Sequence, residues 1–129
     1  MTVFTAGYTG RTVAQLLEAA QTLNADVMDI RFSPRSRNPV WSGSRLAESL
    51  GDRYRHLRAF GNANYKELEG PGTVLVDAEE GVRAVRSTLE SGRNVILLCA
   101  CKDPAGCHRT DVAALLRSRD IECDELTWP

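Results

Sequence analysis

Between Cys99 and Arg109 the chain reads Cys-Ala-Cys-Lys-Asp-Pro-Ala-Gly-Cys-His-Arg, which brings three thiols, an imidazole and a guanidinium into one short loop. A thiolate is a nucleophile and a soft metal donor, imidazole titrates near neutral pH, and a guanidinium grips anions with a planar fork of donors. A helix signal begins near Cys107, and the first turn of a helix carries unpaired N–H groups and a partial positive charge. A cysteine at such a position has its thiolate favoured, and His108 and Arg109 reinforce the effect. Cys107 and His108 are therefore the candidate catalytic pair, as nucleophile and general base, with Arg109 and the helix start holding a phosphate or carboxylate. The competing reading makes Cys107 a buried or capping residue beside a surface histidine.

Spacing narrows the chemistry. Seven residues separate Cys101 from Arg109, nine separate Cys99 from it and one separates Cys107, and none of these intervals is the spacer of a cysteine-phosphatase loop. Cys99, Cys101, Cys107 and His108 offer four donors for zinc, but without the paired Cys-x2-Cys knuckle, so no metal is expected. Cys99 is expected to point into the core and Cys123 to pack within the last strand.

A second cluster runs from Asp29-Ile-Arg31 through Pro34-Arg-Ser-Arg37. Arg31 either recognises an anion or pairs with Asp29 and orders the loop. Arg35 and Arg37 lean towards solvent or nucleic acid. Tyr8 stands in an early loop where it could cover a bound ring, and Asn62, Asn64 and Tyr65 are weaker candidates in a Gly-rich segment. His56 reads as structural. The candidate ligand-binding set is thus Tyr8, Arg31, Arg35, Arg37, Cys99, Cys101 and Arg109.

The elements that must position these residues alternate between strand and helix. Strands are expected at 2–6, 25–30, 53–57, 94–100 and 121–126, the third of them short and polar. Helices should follow Thr12, whose Thr-Val-Ala-Gln sequence fits a capping box, and Ser44, Asp77 and Cys107. Val95-Ile-Leu-Leu-Cys99 is continuously apolar, as a parallel strand covered on both faces requires. Residues 31–39, with two prolines, and 58–73, with three glycines and a proline, read as loops. The alternation predicts a single three-layer α/β domain spanning 1–129, with a mostly parallel sheet of about five strands and helices on both faces. Ligands of such sheets bind beyond the carboxyl ends of the strands, where the loops 7–10, 31–37 and 100–109 should converge.

Composition sets outer limits. The chain has 129 residues, the usual size of one domain, with 16 basic and 17 acidic side chains and a net charge of -1. Near-neutrality argues against a whole-protein grip on nucleic acid, although seven arginines fall between Arg31 and Arg58 against only Glu48 and Asp52. The N-terminus shows no signal-peptide pattern and no stretch is long enough to span a bilayer. The expectation is a cytoplasmic protein without membrane attachment, its four cysteines reduced.

Three motifs together resemble the domain of unknown function 488 family over nearly the whole chain. They are Thr5-Ala-Gly-Tyr-Thr9, Asp29-Ile-Arg-Phe-Ser-Pro-Arg-Ser-Arg37 and Leu98-Cys-Ala-Cys-Lys-Asp-Pro-Ala-Gly-Cys-His-Arg109. The resemblance implies a compact α/β fold with the three loops clustered, and brings no established activity. Cys101 stands where that family usually has Glu, and Tyr8 where it usually has His. If those residues are an acid or base in the family, this chain has altered or lost that step. Cys101 beside Cys107 is instead a candidate reversible redox pair, which the family pattern does not imply.

The leading functional expectation is a small enzyme, or an enzyme-derived binding domain, that takes an anionic, nucleotide-like ligand at the Cys-His-Arg loop. A nucleic-acid-binding module using residues 31–58 is the alternative, and a thiol or metal sensor a third. No cofactor and no oligomeric state is legible.

Overall fold

A computed structural model describes residues 1–63, 73–101 and 107–129. The strands are β1 (Val3–Gly7), β2 (Ala25–Asp29), β3 (Tyr54–His56), β4 (Asn94–Cys99) and β5 (Cys123–Glu125), and the helices are α1 (Val13–Thr22), α2 (Gly43–Leu50), α3 (Ala78–Glu90) and α4 (His108–Ser118). The strands form one parallel sheet in the order β3-β2-β4-β1-β5. The expected α/β domain with a five-stranded sheet is what the chain forms.

Side-chain alternation along β4 explains the layers. Val95, Leu97 and Cys99 point to one face, where they meet Val82 and Val85 of α3 and Val112 and Leu116 of α4. Ile96 and Leu98 point to the other, against Leu16 and Ala20 of α1 and Leu46 and Leu50 of α2. A strand sandwiched this way must be apolar on both sides, hence its unbroken hydrophobic run.

The local signals act largely as the residues dictate. Thr12 accepts from the Gln15 N–H at 3.1 Å while Gln15 reaches back to the Thr12 N–H at 2.8 Å, completing the capping box of α1. Asp77 caps α3 through the Glu80 N–H at 3.1 Å. One boundary differs from expectation: α2 is capped by Ser42, not Ser44, its hydroxyl 3.4 Å from the Arg45 N–H. Both serines suit a cap. The 3-10 turn Pro39–Trp41, which buries Trp41, delivers Ser42 to the position first. Further 3-10 turns occupy Gly51–Arg53 and Arg58–Phe60, and Asn62 bridges Leu75, so part of the second expected loop is ordered. Asn64 and Tyr65 lie outside the described residues.

The order of strands creates a crevice. From β2 the chain goes outward to β3 by way of α2, on one face. From β4 it goes the opposite way to β5 by way of α4, on the other face. Adjacent strands β2 and β4 therefore part company at their carboxyl ends, and a parallel sheet opens a binding crevice at such a reversal.

Candidate functional site

A cavity of about 370 Å³ occupies this crevice, lined by Arg31, Phe32, Ser33 and Arg35 after β2, by Cys99, Ala100 and Cys101 at the end of β4, and by Asn62 and His108. Its size falls within the range of about 300–1,000 Å³ common for small-molecule sites. Of the residues expected to bind ligand or act in catalysis, Arg31, Arg35, Cys99, Cys101 and His108 meet here. Tyr8 and Arg37 line a separate hollow of about 290 Å³ with Arg11, Asn38 and Trp41. The loop 31–37 thus divides its arginines between two concavities.

Arg31 is locked in place. Asp29, fully buried at the end of β2, accepts from the Arg31 backbone N–H at 3.2 Å, its Nε at 2.8 Å and its Nη2 at 2.5 Å. Tyr54 of β3 donates its hydroxyl to the same carboxylate at 2.7 Å. Nη1 of Arg31 donates to the Tyr8 hydroxyl at 3.1 Å and the Arg35 carbonyl at 3.3 Å. Burial works against the Arg31 charge, but the hydrogen bond and charge of Asp29 overcome it and the guanidinium is held more firmly protonated than usual. Burial followed by the Asp29 charge pushes the Tyr54 phenol up. Of the two roles open to Arg31 in the sequence, the pairing with Asp29 is formed. His56 meets the Arg31 carbonyl at 2.7 Å, the structural role expected of it.

Tyr8 does not present a free ring. It stacks on Trp41 with centroids 4.3 Å apart and is nearly buried, so its face is already covered by an aromatic partner. By contrast, the Arg35 guanidinium is exposed and makes no hydrogen bond or ion pair among the described residues. Among the described residues that line the cavity, it is a cation with donors to spare.

The thiols sit against the opposite wall. Cys107 is the N-cap of α4, where the helix field favours negative charge. Its Sγ lies 2.8 Å from Sγ of Cys99 and 4.0 Å from Nδ1 of His108. The hydrogen bond from Cys99 lowers the Cys107 pKa against the opposing effect of burial, and His108 adds to the lowering. Cys99 moves the other way, because its thiol hydrogen bonds to Cys101 and Cys107 and is buried. Hydrogen bonding to Cys99 also lowers Cys101, which is exposed. Cys99 is thus the thiol of the three that holds its proton most firmly. His108 is fixed by its Nε2, 2.8 Å from the Ile30 carbonyl, an arrangement that assigns the proton to Nε2 and aims Nδ1 at Cys107. Burial pulls the imidazole pKa down, yet the Cys107 and Ile30 interactions outweigh it and the net shift is upward.

Arg109 plays a different part from the one expected. Its side chain is 1 % exposed and does not line the cavity. Nε and Nη2 engage Glu125 of β5 at 3.2 and 3.0 Å, and Nη1 donates to the Cys101 carbonyl at 2.6 Å and Cys99 Sγ at 3.2 Å. Thr5 donates to the same Glu125 at 2.6 Å. The guanidinium ties α4 to the strand ends and holds the β4 loop against β1. Gly7 makes that approach possible, since a Cβ there would stand 1.6 Å from the Cys101 oxygen.

Sequence reasoning missed Tyr54, Glu125, Trp41 and Phe32 at or beneath the site. Tyr54 pairs in register with Val27, two residues before Asp29, and Glu125 pairs with Thr5. Only strand pairing brings them near, and no local spacing signals it. Cys123 packs in the core as expected. Among the described residues no group of three His, Cys, Asp or Glu side chains is arranged to hold a metal ion, and no helix is long and apolar enough to cross a membrane. No family model, curated protein or solved structure matches the chain.

Proposed function

We propose that the chain binds a small phosphate-bearing anion, of nucleotide size, in the crevice between β2 and β4. The observation that carries this reading is the Arg35 guanidinium, exposed at a cavity of about 370 Å³ and without a hydrogen-bond or ion-pair partner among the described residues. Arg35 receives the phosphate in a charge-assisted, bidentate hydrogen bond. Phe32 and Ala100 give the apolar wall that a base or other ring needs. Cys107 and His108 remain the candidate reactive pair, adjoining the ligand. The three loop motifs support placing the chain in the domain of unknown function 488 family, as a proposal on sequence resemblance alone.

The test is calorimetric titration with inorganic phosphate and adenosine mono-, di- and triphosphate, on the native protein and on Arg35→Ala. A hydrogen bond to a charged group is worth about 1.5–3 kcal/mol, so the variant should bind roughly 10- to 100-fold more weakly. Its unfolding midpoint should not change, because an exposed, unpaired side chain contributes little to stability. Absence of binding to every probe, or equal affinity in the variant, contradicts the proposal.

A nucleic-acid-binding reading stands second. Three of the seven arginines between Arg31 and Arg58 are engaged internally: Arg31 with Asp29, Arg53 with the Ala20 and Ala25 carbonyls, and Arg58 over the Phe32 ring. Arg35, Arg37, Arg45 and Arg55 are exposed and supply the remaining charge. This reading requires binding to single- or double-stranded oligonucleotides that weakens steeply with salt.

A further inference from the structure

The sulfur geometry reaches beyond anion binding. By sequence the natural partner of Cys107 is Cys101, yet the sulfur found 2.8 Å away belongs to Cys99. A disulfide needs its sulfurs at about 2.05 Å, so closing this pair takes a movement of under ~1 Å. Both sulfurs are nearly buried, but Cys99 and His108 form part of the cavity wall, which gives a small molecule a route inward. A hydroperoxide is a small oxidant that suits such a route.

We propose that Cys107 and Cys99 are a hydroperoxide-reactive pair that closes a reversible disulfide. The Cys107 thiolate attacks the nearer oxygen of the hydroperoxide. The S–O bond forms as the O–O bond breaks, sulfur is oxidised to a sulfenic acid, and the departing alkoxide or hydroxide is protonated by the His108 imidazolium. Cys99 Sγ then attacks the Cys107 sulfur. The S–S bond forms, the S–O bond breaks, and the hydroxyl leaves as water with the Cys99 proton. In sum one thiolate, one thiol, one hydroperoxide and one proton yield a disulfide, an alcohol or water, and a further water. The Arg109 Nη1, 3.2 Å from Cys99 Sγ, stabilises negative charge on that sulfur as it attacks. An external dithiol reverses the reaction by thiol–disulfide exchange.

The step does not use Arg35, which carries the proposed phosphate contact, so Arg35→Ala should oxidise as the native protein does. Failure of either proposal is therefore visible without the other. The experiment treats the full chain with equimolar hydrogen peroxide and reads intact mass and non-reducing peptide maps. The expected result is loss of two hydrogen atoms per chain and a peptide link between Cys99 and Cys107, both reversed by dithiothreitol. Cys101→Ser should leave the link intact, and Cys99→Ser should leave a sulfenic acid at Cys107 that dimedone captures. A link made instead through Cys101 or Cys123, addition of oxygen without loss of hydrogen, or four unreacted thiols overturns the proposal. If Cys99→Ser does not fold, the native peptide map decides alone.

Discussion

Replacing Asp29 with Asn tests whether the floor of the crevice is held by a buried ion pair. The carboxylate has no exposure and accepts four hydrogen bonds, three from Arg31 and one from Tyr54. The amide that replaces it has nearly the same shape but no charge, and half of it donates where an acceptor is needed. Arg31, only 7 % exposed, is left charged without its partner. Removing one member of a buried pair costs about 3–5 kcal/mol, because the surviving charge stays desolvated. Arg31 keeps its contacts with the Tyr8 hydroxyl and the Arg35 carbonyl, which places the expected loss near the lower end, about 3 kcal/mol. For a domain of this size that corresponds to a fall in melting temperature of roughly 10 °C. Arg31→Met should cost a similar amount, since it strands the carboxylate. The double variant should lose much less than the sum, because a buried pair replaced by uncharged groups is often close to neutral. Urea unfolding of the four proteins gives the coupling directly. A single-variant loss below ~1 kcal/mol, or strict additivity, refutes the ion-pair account.

Gly7→Ala should destabilise by about 3 kcal/mol or more, because the new methyl overlaps the Cys101 carbonyl and forces the β4 loop off β1; a midpoint unchanged in thermal unfolding contradicts this. The Cys107 thiolate should persist well below the ordinary thiol range, read by its ultraviolet absorbance during acid titration, and Cys99→Ala should move the midpoint back up by removing the main hydrogen-bond donor. A midpoint indifferent to Cys99 denies that role. The sign for stability follows: the depressed thiol contributes fully above its unfolded pKa of ~8.5 and loses that contribution as pH falls through its folded value. His108 has the opposite sense, its contribution complete below ~6.5 and lost as pH rises through its elevated folded pKa.

Much of the architecture was legible because each local signal agreed with the global fold. The apolar run before Cys99, the Thr12 capping box and the strand–helix alternation all point to one parallel sheet, and that sheet forms. The convergence of loops after β2 and β4 followed from topology. What stayed hidden depends on lateral pairing, which a linear pattern does not encode. Glu125 becomes the partner of Arg109 because β5 lies beside β1, and Tyr54 reaches Asp29 because β3 lies beside β2. The roles of the cysteines were mixed for the same reason. Spacing favours Cys101 as partner of Cys107, but pleating turns Cys99 inward beneath the start of α4 while Cys101 stays exposed. Arg109, adjacent to the reactive pair in sequence, faces Glu125 and the β4 carbonyl rather than the cavity.

The proposed ligand site is tested most directly by following backbone amide resonances while titrating adenosine monophosphate into the native protein. Binding in the crevice predicts concentration-dependent shifts concentrated at Arg31, Phe32, Arg35, Ala100 and His108, and their loss in Arg35→Ala. Shifts centred instead on Tyr8, Arg11, Arg37 and Trp41 at the neighbouring hollow, or none at all, would contradict it.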